Sequence, residues 1–238
     1  LTINAPGSSV RIDGDAQIGS SSNNRSFLLT AGTLDLDGNI ITFYGNFTNT
    51  GANTREIDFG EGGILDLMNV ATGSVMNSGG SGFTTSGEGY IRLSGNTTNT
   101  LTFAGNGFPY KGFWNNTSGG AIVVITGSNT FTDFKLSAGV IQRMANNSTT
   151  TIDSFTVPDD PDNDIILRSV GDSTQHIFYK ESGVVSVKGV HISNSNATGI
   201  EEWYSLINDG NVDGGNNNGW IFLIEITSTQ TIEALGRI

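Results

Sequence analysis

Apolar residues in this chain come in short alternating runs, not in helical stripes. Leu1/Ile3 and Val10/Ile12 alternate with polar neighbours. F-L-L at 27–29 leads into G-T-L-D-L at 32–36, and I-I-T-F-Y follows at 40–44. A two-residue period places apolar side chains on one face of a strand. The strongest run is A-I-V-V-I at 121–125. T-F-T-D-F-K-L at 130–136 aligns with T-I-D-S-F-T-V at 151–157, which sets Phe134 and Phe155 21 positions apart. Two fainter echoes join G-x-L-D-L at 32–36 with 63–67, and N-T-R-E-I-D-F-G at 53–60 with N-T-L-T-F-A-G at 99–105. Residues 71–107 are small and polar, so strands of only about three to five residues are expected there. Further short runs follow at 165–167, 177–179, 184–187 and 190–192. No window carries a sustained helical period. Residues 199–208 have room for about one helical turn.

Turn chemistry separates these runs: Pro6-Gly7, Asp13-Gly14, Asp37-Gly38 and Asn146-Asn147. V-P-D-D-P-D-N-D at 157–164 predicts a surface loop. Strands this short cannot bury a core singly. They can when coils stack in register, with Asn and Gly at the corners. The expected fold is therefore all-β, a parallel β-helix (β-solenoid) with Gly/Asn-rich turns and on the order of ten coils. The alternative is an antiparallel β-sandwich or jelly roll, for which the hairpin signals are thin. One solenoid domain is expected over 1–223, with a subdivision considered near 157–164. Residues 224–238 are expected to form a terminal strand or the start of a following module. Trp203, Tyr204 and W-I-F at 220–222 are expected to cap the last coil.

Composition narrows the function classes. There are 33 glycines, no cysteine and only 14% charged residues. No cysteine means no disulfide framework and no thiolate metal site. The net charge is −12, and the 11 Lys and Arg are scattered. That argues against a nucleic-acid groove. No apolar run reaches the roughly 18 residues of a membrane span. The chain begins at Leu1, as expected of a processed product or part of a longer protein.

Several groups carry candidate chemistry. Asp209-x-Asn211-x-Asp213-Gly214 matches the first half of an EF-hand-like Ca²⁺ loop. Its twelfth position is Trp220, where a bidentate Glu is needed, so a Gly/Asn corner is the competing reading. Asp159, Asp160, Asp162 and Asp164 form a second acidic cluster, for which a solvated loop competes. His191 alternates with Val190 and Ile192 and is expected to face outward. It has no neighbouring Ser-Asp pattern to make a catalytic triad; His176 is the other histidine. Glu56/Asp58, Glu61/Asp66 and Glu201/Glu202 are carboxylate pairs of the kind glycoside cleavage uses. Nothing singles out one pair, so no catalytic residue is assigned. Phe108, Tyr110, Phe113 and Trp114 form an aromatic knot. It is a candidate surface for sugar stacking or a subunit interface, against a plain core plug.

S-G-V-V-S-V-K-G-V-H-I-S-N-S-N-A-T-G at 182–199, W-Y at 203–204 and D-G-G-N-N-N-G-W-I-F at 213–222 together resemble a β-helix segment. That segment recurs in phage virion proteins and bacterial surface proteins. G-S-N-T-F-T-D-F at 127–134 and G-T-L-D-L-D-G-N-I-I-T at 32–42 resemble the same group. The stretch before W-Y usually reads G-G-A there; here it is Gly199-Ile200-Glu201-Glu202. The resemblance implies a non-enzymatic virion component, a tail fibre or other appendage, acting in assembly or host attachment. The alternatives it carries are a secreted bacterial adhesin and a tailspike-type polysaccharide depolymerase. Implied partners are other virion subunits in an oligomeric assembly and a host surface glycan, with neither nucleic acid nor membrane insertion. The implied location is the virion or the extracellular space.

Overall fold

A computed structural model describes residues 1–21, 25–69, 71–199 and 202–222. It is a parallel β-solenoid of about 9 turns. At the ~4.8 Å spacing of paired strands, that is a rod of roughly 43 Å. Pairings between the described strands are parallel throughout, which a sandwich built from hairpins does not allow. The 3₁₀ turn Ile207–Asp209 is the helical element of the described residues.

Inward side chains stack into columns along the axis. One column runs Ala16, Ile41, Leu65, Ile91, Phe113, Phe134, Phe155. A second runs Phe27, Phe47, Met76, Phe103, Ile125, Met144. The aligned pair Phe134 and Phe155 are register partners, as the 21-residue spacing predicts. The two fainter echoes are not. Gly32 pairs with Arg55, whereas Gly63 pairs with Gly89, so the G-x-L-D-L phrases lie on different faces. Likewise Ile57 pairs with Leu34 and Leu101 with Val123, in separate columns.

Between 71 and 107 Thr100–Ala104 keeps to five residues, whereas the other two strands are longer than expected. Phe83–Leu93 is an 11-residue strand. It turns a corner at Gly87, whose φ is +72°, while still pairing with Arg55–Leu67 on both sides of that corner. Asn147 takes a left-handed φ of +57° at the expected Asn-Asn turn. Strand pairings continue across 157–164, and one hydrophobic core extends from Ile3 to Trp220. Residues 224–238 lie outside the described residues.

The last coil closes on two tryptophans. Val185–Ser186, Trp203–Tyr204 and Trp220–Ile221 form a small separate sheet. The Trp203 and Trp220 rings meet edge to face at 5.1 Å. Deep burial of two indoles removes a large apolar area from water where the stack would otherwise end.

Candidate functional site

The proposed calcium loop is a corner. Asn211 is 3% exposed, and its side chain is consumed by the backbone. Its Nδ2 donates to Val187 O at 2.7 Å and Leu206 O at 2.9 Å, and its Oδ1 accepts from Val190 N at 2.9 Å. Asp213 Oδ1 accepts from Gly215 N and Asn217 Nδ2. The side-chain oxygens of Asn211 and Asp213 are therefore engaged within the corner itself. Among the described residues no cluster of three or more His, Asp or Glu side chains is placed to share an ion. In the second acidic stretch, Asp159 pairs with Lys188 at 2.7 Å and Asp160 accepts from Asp162 N. Asp164 lies 3.8 Å from His191, which faces outward as expected.

The aromatic knot divides between core and surface. Tyr110 and Phe113 are 2% and 0% exposed, and Phe108 packs edge-on against Phe83. The Tyr110 hydroxyl donates to Gly105 O at 2.7 Å. Tyr110 and Phe113 are three apart, and the strand's alternation breaks between them, so both rings go inside, which corrects the expectation of a contact surface for these two. Trp114 alone of the strand's rings points outward. Its two faces are occupied: Lys135 Nζ lies 4.1 Å and Arg92 Cζ 5.1 Å from the ring centroid. Register places Arg92 one coil before Trp114 and Lys135 one coil after, so the indole is held between two cations.

Most of the described carboxylates of the candidate pairs are likewise engaged, while Glu61 is exposed. Glu56 accepts from Thr33 Oγ1, and Asp58 from Gly60 N. Asp66 is 1% exposed and bound by Arg92 at 2.8 Å and Ser94 Oγ at 2.6 Å. Glu202 accepts from the Tyr204 hydroxyl. Glu201 lies outside the described residues.

Three features escaped the sequence reading. His176 is fully buried, between two serines. Ser169 Oγ donates to Asn194 O at 3.0 Å, so it accepts from His176 Nδ1–H at 3.1 Å. Nε2 is then bare and accepts from Ser195 Oγ at 3.0 Å, and Trp220 Nε1 donates to Ser195 Oγ at 2.9 Å. Burial lowers the His176 pKa to about 3, keeping the ring neutral. The relay is closed to solvent and ties the terminal tryptophan to the preceding coils.

Arg55 is also fully buried. Its guanidinium donates to the carbonyls of Asn53, Gly79, Gly51 and Ser81, stapling two successive corners. Burial lowers its pKa.

The third feature is a lateral groove of about 370 Å³, lined by Gly62, Gly87, Glu88, Gly89, Tyr90, Lys111, Thr132 and Asp133. Its wall is built by an outward column in which Gly112 separates Asp133 from the coil of Tyr90. Gly112 leaves the space through which Tyr90 crosses to donate its hydroxyl to Asp133. A Cβ on Gly112 would meet Gly89 O at 2.5 Å and Tyr90 Cδ1 at 2.6 Å. Asp133 also accepts from Ser154 Oγ and Thr156 Oγ1. Burial, then the Asp133 hydrogen bond and charge, push the Tyr90 pKa up to about 12. The sequence signal was available in principle: Y-I-R-L at 90–93 and W-N at 114–115 alternate outward and inward. It becomes legible only once the coil register is known.

Fold and surface together define an elongated β-solenoid with an aromatic and charged ladder on one face. No family model matches the chain, and no curated protein or solved structure matches it.

Proposed function

We infer that this chain is a non-enzymatic structural module of a phage particle, a tail fibre or similar appendage that holds surface loops and grooves toward a host. The observation that carries this reading is the parallel pairing of successive coils, interrupted only by local bulges, with one core running along the axis. Such a stack resists bending and displays its corners at fixed intervals. Glu56, Asp58 and Asp66, among the carboxylates that would serve glycoside cleavage, are engaged by their own backbone and neighbours, which favours display over catalysis. The phrases at 182–222 that resemble virion β-helices point to the particle.

The test is location. Antibodies against the purified chain are applied to purified phage particles and read by immunogold electron microscopy. Gold at the tail or another appendage supports the reading. Label absent from particles but present on the bacterial envelope overturns it in favour of an adhesin. Release of reducing ends from host capsule by the purified protein overturns the non-enzymatic part.

A further inference from the structure

We propose that the groove beside Tyr90 is a binding subsite for one neutral pyranose unit of a surface glycan. The assignment rests on the attachment role inferred above and gives it a place and a ligand class. Sugar recognition needs an aromatic face for the pyranose C–H groups and polar groups at the rim for its hydroxyls. Register fixes which side of Tyr90 is free. Trp114 and Lys135 follow Gly112 and Asp133 along their strands, whereas Lys111 and Thr132 precede them. The Trp114 ring and Lys135 Nζ back Tyr90 at centroid distances of 5.9 and 5.5 Å. The groove with Lys111 and Thr132 opens on the opposite side.

The wall is preorganised. The Tyr90 hydroxyl is tethered to Asp133, itself held by Ser154 and Thr156, so little ordering remains for a ligand to impose. The rim is uncommitted. Lys111 and Glu88 are exposed, and neither forms an ion pair among the described residues. Lys111 donates, Glu88 accepts, and the Thr132 hydroxyl does both. With Asp133, the lining carries two carboxylates against one lysine, which disfavours an acidic sugar. The chain's net charge of −12 disfavours a polyanionic glycan. A volume of about 370 Å³ sits at the small end of ligand pockets, which suits a single ring.

The experiment is saturation-transfer NMR on the purified chain with glucose, galactose, mannose, N-acetylglucosamine and their disaccharides, each against glucuronic and sialic acids. The expected result is transfer to at least one neutral sugar, retained in Tyr90→Phe. Tyr90→Ala is expected to weaken Kd by roughly tenfold. Lys111→Ala alters only an exposed side chain, so it tests the rim without endangering the fold, and is expected to weaken binding severalfold at unchanged Tm. No transfer to any neutral sugar, transfer to the acidic sugars alone, or binding unchanged in both Tyr90→Ala and Lys111→Ala overturns the subsite. Particles that label in the immunogold test while no sugar binds overturn the subsite and leave the appendage reading standing. Sugar binding with unlabelled particles does the reverse.

Discussion

Tyr90 and Asp133 are joined by a hydrogen bond that skips a coil: the ring passes through the space left by Gly112 in the strand between them. Gly112→Ala should break this arrangement. The new Cβ meets both the Gly89 carbonyl and the Tyr90 ring. A loss of about 1–3 kcal/mol is expected by urea unfolding. Pairing it with Tyr90→Ala should return part of that loss, because one of the two collisions disappears. Two losses that simply add would separate Gly112 from Tyr90.

Among the described residues Arg55 forms no ion pair; its charge is spread over four backbone carbonyls. Arg55→Met keeps much of the volume and leaves those carbonyls without their donor. A cost of about 3 kcal/mol or more is expected, read as a lower Tm and urea midpoint. An unchanged midpoint would show that water replaces the guanidinium at little cost.

His176 couples the fold to acid. Unfolded, its imidazole takes up a proton below about pH 6.5. Folded, it resists protonation until about pH 3 because burial disfavours the charge. The unfolded chain therefore binds more protons in that window. The contribution is fully present above pH 6.5 and is lost as the pH falls toward 3, at up to about 1.4 kcal/mol per pH unit. Carboxylates titrate in the lower part, so the diagnostic range is pH 6.5 to 5. The stability slope there should be present in the natural chain and absent in His176→Asn.

Trp220 covers Trp203 and holds Ser195. Coils of a solenoid feel mainly their neighbours. Trp220→Ala should thus loosen the end without loosening the middle. Amide exchange should speed up across 185–205 and stay unchanged across Ile122–Thr126. Uniform acceleration along the chain would mean that the coils unfold as one unit.

Strand periodicity and Asn/Gly corners made the architecture legible, and the Phe134–Phe155 spacing gave one true register pair. The G-x-L-D-L echo misled because coils differ in length and each coil visits several faces. Similar phrases then recur on different faces. The burial of His176 was not legible because its partners, Ser169 and Ser195, are ordinary serines in the sequence. Asn211 matched a calcium pattern because ion loops and solenoid corners both need oxygen-bearing side chains near a glycine. The two differ in where the oxygen points: Asn211 feeds it to Val190 N. Tyr90 was invisible for a simpler reason. Its site is defined by a missing side chain, at Gly112, two strands of sequence away.

The Pro-Asp loop at 157–164 forms a corner between strands whose pairings continue past it. Asn163 locks its base by donating to Pro158 O and Lys188 O. What lies between those anchors is exposed and bears no part of the core. Such a corner is a cassette. Its outward side chains at Asp159, Asp160 and Asp162 can change while the backbone packed against Gly189 and Gly210 holds the pitch of the rod, so the surface can diversify at the corner without renegotiating the fold.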